Sequence, residues 1–178
     1  VAILAALRER ESSGLGQHID MALLDSQVSW LMNHNLNYLV SGTVPKRWGN
    51  AHPNLTPYQA FPTEDGSLIL AIGNDSQFRK FCAVAGLDIA TEPRFIDNKS
   101  RLAHRDALDA HLESVFATKP ARWWTIQLQK HRVPVSLFHD YETIPDLPQV
   151  RENDCIVTLD IPDIGPLPFG NLPITFSR

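Results

Sequence analysis

The sequence predicts an α+β unit preceded by a shorter piece of an α/β layer. Three observations lead there. A helix, a glycine turn, a strand and a second helix follow one another over residues 1–41. Composition then turns abruptly to Gly, Pro, Asn and Thr over residues 42–57, without periodicity. Beyond Tyr58 a hairpin pattern gives way to helical stripes and finally to Pro-rich strands.

The first helix is expected over residues 1–13, where good helix formers carry Ile3, Leu4 and Leu7 on one side. It opens without Ser, Thr, Asp or Asn to cap its first turn, and the stretch from Ser13 to Gln17 supplies its glycine stop. A short strand is expected from Gln17 to Met21, and a helix from Leu24 to about Leu39. Tyr58–Phe61 and Leu68–Ile72 flank the turn Glu64-Asp65-Gly66 and read as a hairpin. Phe78, Phe81, Cys82 and Ala85 recur at i, i+3, i+4 and i+7 behind a candidate cap, Asp75, and Gly86 ends that helix. A longer helix after Asn98 carries Leu108, Leu112, Val115 and Phe116; the next starts at Pro120 and carries Trp124 and Leu128. Val135–Phe138 is an expected strand, and residues 156–176 hold two or three more, ending with a strand-like run from Leu172 whose edge nothing covers. An uncapped start and an uncovered end lead us to expect a segment of a longer protein.

Composition narrows the function. The 178 residues are 43% hydrophobic and 20% charged, which is ordinary for a globular chain and excludes disordered and collagenous classes. Sixteen Lys and Arg against 20 Asp and Glu give a net charge of −4, so no global basic field recruits nucleic acid. No apolar run reaches the length of a membrane span, and the two cysteines, Cys82 and Cys155, read as core thiols of a reducing compartment. A cytoplasmic protein is expected.

Chemistry-bearing patterns are sparse. GxGxxG, P-loop, CxxC, HExxH and GxSxG arrangements are all missing from the sequence, which leaves no metal site and no serine hydrolase to argue for. Asp20 and Asp25 lie at a layer edge where sites gather, but Asp25 reads more simply as a first-turn acid favoured by the helix dipole. His52 and His104 have the right chemistry for a general base, with a hydrogen-bonded structural role the simpler reading of His104. The segment from Lys46 to Tyr58 sets two cations, an indole, a glycine and two amides in one loop. Such a loop can grip a planar anion through charge, stacking and backbone N–H groups; equally, it can be an ordered linker with Arg47 packed on Trp48.

A resemblance separates these readings. Ala2-Ile-Leu-Ala-Ala-Leu-Arg-Glu-Arg, Ser13-Gly-Leu-Gly-Gln-His-Ile-Asp-Met-Ala-Leu-Leu-Asp, Arg47-Trp-Gly-Asn-Ala-His-Pro-Asn and Pro57-Tyr-Gln-Ala-Phe occur in one order. They are followed by the stretch from Asp65 to Phe78, Phe95-Ile-Asp-Asn with Arg101 and Arg105, Val133-Pro-Val, and residues 165–176. Together they resemble the family III CoA-transferases, a family that also holds the α-methylacyl-CoA racemases.

The resemblance implies a Rossmann-like α/β large domain built from both ends of a longer chain, a small α+β domain between, and two interlocked subunits. On that reading residues 1–41 leave the large domain, 42–57 form a linker and active-site loop, and 58–178 make the small domain and the start of the return. Family transferases move CoA from an acyl-CoA to a carboxylic acid through an aspartate that forms mixed-anhydride and aspartyl-CoA intermediates. That aspartate is expected upstream of Val1, so neither Asp20 nor Asp25 takes its role, and this chain alone is expected to be inactive. CoA or substrate binding is expected at Leu23, Arg47, Trp48, Gly49, Asn50, His52 and Asn54. Oxalate-type members carry a mobile glycine-rich loop where this chain has His52-Pro53-Asn54, and Pro53 restricts both itself and His52. The implied partners are an acyl-CoA, a carboxylic acid and a second subunit, with coenzyme A thioester as substrate, no tightly bound cofactor, no metal, no nucleic acid and no membrane. Two alternatives stand beside the transferase. One is a 2-methylacyl-CoA racemase, which needs a His and acid pair for α-proton exchange; the other is a non-catalytic folding or dimerisation module.

Overall fold

The structure, a computed structural model, describes residues 1–177 and separates into two compact units, Val1–Gly49 and Asn50–Arg178.

The first unit is helical. Its helices are α1 (Ala2–Ser13), α2 (Leu23–Ser29) and α3 (Met32–Ser41). No side chain caps the start of α1, while Gly14 at φ 73° closes its end by donating its N–H to the Arg10 carbonyl at 2.9 Å. The helix expected from Leu24 to Leu39 is two helices, because Met32 adopts φ 48° and interrupts the i to i−4 ladder. The strand expected at Gln17–Met21 does not form. A strand needs a neighbour for its backbone groups, and neither sheet of the described residues includes this segment. No residue of 1–49 is buried, so Leu4, Leu23, Trp30 and Leu39 all stand exposed.

The second unit holds the core. Strands β1 (Tyr58–Pro62), β2 (Ser67–Ala71) and β3 (Val135–Leu137) form an antiparallel sheet in that order, with Phe61 opposite Leu68 and Leu68 opposite Leu137. Alternation turns Leu68 and Leu70 to the buried face, where α4 (Asp75–Ala85), α6 (Arg105–Phe116) and α7 (Ala121–Lys130) bring Phe78, Phe81, Leu108, Leu112, Phe116, Trp124 and Leu128. Phe116 is the hub. Its ring lies 5.2 Å from Phe61, 5.7 Å from Phe81 and 5.1 Å edge-on from Trp124, whose indole N–H donates to the Phe116 carbonyl at 3.0 Å.

Caps differ from the sequence expectation. Asn74, not Asp75, caps α4 by accepting the Gln77 N–H at 3.0 Å, which leaves Asp75 in the first turn for another partner. The helix expected after Asn98 breaks at His104 into α5 (Asn98–Ala103) and α6, and Asp97 caps α5 by accepting the Ser100 N–H. The start of α7 is satisfied from the hairpin turn, where the Asp65 carboxylate accepts the Ala121 N–H at 2.8 Å.

Further along, a short helix α8 (Pro148–Glu152) precedes the hairpin of β4 (Ile156–Ile161) and β5 (Gly165–Gly170). The run from Leu172 to Ser177 is not a strand; Pro173 has no N–H for a ladder. Arg178 of that expected strand lies outside the described residues.

One of the two cysteines is a core thiol. Cys82 is buried, and burial pushes its thiol up to about 12, whereas Cys155 is exposed, contrary to the expectation for it. At pH 8 a disulfide reagent such as DTNB is therefore expected to titrate one thiol in the folded chain and two in denaturant. Two rapidly reacting native thiols would contradict the packing around Cys82. The folded chain also keeps a proton that the unfolded chain releases from about pH 9.0, so stability falls as pH climbs from there towards about 12.

Candidate functional site

The expected binding residues fall on both units. Leu23 opens α2 and is 82% exposed. Arg47 is exposed and Trp48 half-buried, with the Lys46 ammonium 4.9 Å from the indole centroid. Gly49 takes φ 61°, a conformation that strains any side chain with a Cβ, and ends the first unit.

Asn50, His52 and Asn54 begin the second unit, and there the geometry is dense. The Asn50 side-chain oxygen accepts the Ala60 N–H at 2.9 Å, tying the loop to β1. His52 donates its backbone N–H to the Tyr58 carbonyl at 2.9 Å, and its ring stacks on Tyr58 with centroids 5.1 Å apart. Its Nδ1 accepts the Asn54 N–H at 3.0 Å, which places the proton of the neutral ring on Nε2.

Behind this loop stands a row of side chains from α5 and α6. Asn98 accepts the Thr56 N–H at 3.2 Å and donates to the Asn54 carbonyl at 2.9 Å. Arg101, 1% exposed, donates from Nε to the Thr56 carbonyl at 2.8 Å, from Nη1 to the Phe95 carbonyl at 3.0 Å and from Nη2 to Asp75 at 2.7 Å, with its guanidinium 4.4 Å from the Phe78 ring centroid. Arg105 donates from Nη2 to the His52 carbonyl at 2.8 Å and the Leu55 carbonyl at 3.2 Å. Burial pushes the neighbouring Asp109 carboxyl up, opposed by the Arg105 charge and a hydrogen bond from Gln59.

Sequence reasoning assigned no role to Asn98, Arg101 or Arg105. A signal was present: counting back seven residues from Leu108 and Leu112 reaches Arg101 and Arg105, which places two cations on the core-facing stripe. Charges there require buried acceptors, and loop carbonyls supply them.

Chemically, the N–H groups of His52, Asn54 and Thr56 are engaged within the unit, so these three do not serve a ligand as backbone donors. His104, by contrast, holds Nδ1 2.9 Å from the Ser100 carbonyl, as a structural histidine does. Asp25 sits in the first turn of α2. Among the described residues, no three His, Cys, Asp or Glu side chains converge as metal ligands would, and no helix is long and apolar enough to cross a membrane.

Comparison with known proteins bears on the whole chain. The model of CoA-transferase family III matches residues 1–178. A succinate–glutarate CoA-transferase of Agrobacterium fabrum is 42% identical over 182 residues, which is 99% of this chain and 44% of the relative. An acetyl-CoA:oxalate CoA-transferase of Acetobacter aceti is 35% identical over 156 residues, covering 87% of this chain and 40% of its own. Among solved structures, a CaiB/BaiF family protein from Brucella suis superposes with a TM-score of 0.71 at 39% identity, covering 99% of this chain and 46% of that one. A Mycobacterium tuberculosis protein reaches 0.81 at 26% identity, with the same coverage. The chain spans less than half the length of these curated relatives.

Proposed function

Because this chain belongs to CoA-transferase family III, we propose that the protein moves CoA from an acyl-CoA donor to a carboxylic acid, with small dicarboxylates such as succinate and glutarate as its acyl groups. The family match along all 178 residues carries the reading, and the naming of the 42% identical relative favours dicarboxylates.

In the proposed reaction an aspartate outside residues 1–178 attacks the thioester carbonyl and expels CoA thiolate, giving a mixed anhydride. The thiolate attacks the aspartyl carbonyl, releases the first acid and leaves an aspartyl-CoA thioester. The acceptor carboxylate then repeats the sequence in reverse. The thioester's free energy is conserved because water takes no part.

Within this chain, Leu23, Arg47, Trp48, Gly49, Asn50, His52 and Asn54 are proposed to border the CoA and acyl groups, with coenzyme A thioester as substrate and no tightly bound cofactor. Residues 1–41 are proposed to belong to a large Rossmann-like domain, 42–57 to the linker and active-site loop, and 58–178 to the small domain. An interlocked homodimer in the cytoplasm, without nucleic acid or membrane partners, completes the proposal.

The test is incubation of the full-length protein with succinyl-CoA and glutarate, followed by mass spectrometry of the thioesters. Glutaryl-CoA is the expected product, and residues 1–178 alone are expected to yield none above background. Exchange by the isolated chain would overturn the placement of the nucleophile. Absence of CoA transfer, together with deuterium uptake at C2 of a 2-methylacyl-CoA in heavy water, would replace the transferase with the racemase.

A further inference from the structure

We propose that Asn98 and Arg105 are positioning residues which hold His52 and Asn54 as a fixed wall of the acyl-CoA site, so that the 50–57 loop does not open and close during turnover. The inference rests on the transferase reading for its substrate and on geometry for the rest.

Much of the loop's backbone, from His52 to Thr56, is tied by hydrogen bonds. The carbonyls of His52, Asn54, Leu55 and Thr56 accept from Arg105, Asn98, Arg105 and Arg101 at 2.8, 2.9, 3.2 and 2.8 Å. The N–H groups of Asn54 and Thr56 go to the His52 ring and to Asn98. Pro53 removes one backbone torsion, and Tyr58 stacks on His52. Lifting the loop would break these bonds together and leave two buried guanidinium groups without their carbonyls. A hinge instead concentrates its change at a few residues with weak ties, and here four carbonyls between His52 and Thr56 are each held by a side chain of α5 or α6.

Asn98 separates the two halves of the clamp. Asn98→Asp keeps the oxygen that accepts from Thr56 but loses the donor to the Asn54 carbonyl; Asn98→Ala loses both. Hydrogen exchange on the full-length protein is expected to find the Asn54 and Thr56 amides protected before acyl-CoA is added, with less than about a threefold change on addition. Asn98→Ala should speed exchange at Thr56 by about tenfold, the worth of one hydrogen bond, and Asn98→Asp should not. In steady-state kinetics both variants, and Arg105→Lys, are expected to raise KM for acyl-CoA several-fold to about tenfold, with kcat within about threefold.

Fast exchange of both amides in the free protein, suppressed by acyl-CoA, would establish a moving lid and overturn the proposal. Faster exchange in the variants with KM unchanged would reduce Asn98 and Arg105 to structural roles and overturn it as well. Absence of turnover in the unaltered protein would bring down the transferase reading and with it the acyl-CoA wall, whereas the exchange pattern reports separately on whether the loop is clamped. Asn98→Asp, which makes the smallest change, keeps the test open where Arg105→Lys fails to fold.

Discussion

Replacing Arg101 with Met is expected to destabilise the second unit by about 3–5 kcal/mol. The side chain is 1% exposed, and its three donors satisfy the Thr56 and Phe95 carbonyls and Asp75. Methionine fills much of the volume but leaves buried carbonyls without a donor, each worth about 1–3 kcal/mol, and removes the cation from the Phe78 face. The ion pair itself is a smaller part, because Asp75 is 40% exposed and water screens it; Asp75→Asn is expected to cost less than about 1 kcal/mol. Urea unfolding followed by circular dichroism compares the two variants. Equal losses would mean that Asp75, rather than the loop and Phe95 carbonyls, justifies a buried arginine.

Phe116→Ala should cost a similar amount, about 3–5 kcal/mol, for an apolar reason. Its fully buried ring meets Phe61 on the sheet, Phe81 on α4 and Trp124 on α7, so truncation opens a void where three elements converge. The surroundings have little freedom to collapse, since the Trp124 indole is anchored on the Phe116 carbonyl. Tyr141→Ala, at a residue 94% exposed, is expected to change stability by less than about 0.5 kcal/mol. A Phe116→Ala loss as small as that of Tyr141→Ala would show that the core lies elsewhere. The two large losses differ in their remedy: Phe116→Leu recovers much of the apolar term, while only a fork of donors replaces Arg101.

Local pattern reached far into the second unit. Alternation at Leu68 and Leu70, the stripe of Phe78, Phe81 and Cys82, and that of Leu108, Leu112 and Phe116 are each set by neighbours within eight residues, and each faces the core as its period requires. Where a competing local signal intervened, the pattern misled. Asn74 outbid Asp75 as the cap of α4, and Met32 split a helix that hydrophobic spacing left continuous. Gln17–Met21 has strand composition, but a strand is a relation between two segments and composition specifies only one.

The sequence by itself determined the class of the second unit, its core faces and the family to which the chain belongs, since periodicity and ordered motifs are properties of the string of residues. Only the tertiary structure decided what the loop at His52 is. Its anchors on Asn98, Arg101 and Arg105 lie 42 to 53 residues away, and no local pattern encodes which distant carbonyls a buried guanidinium will meet. That pairing is settled when the core closes and the two arginines, carried inward on the same stripe as Leu108 and Leu112, must find acceptors out of reach of water.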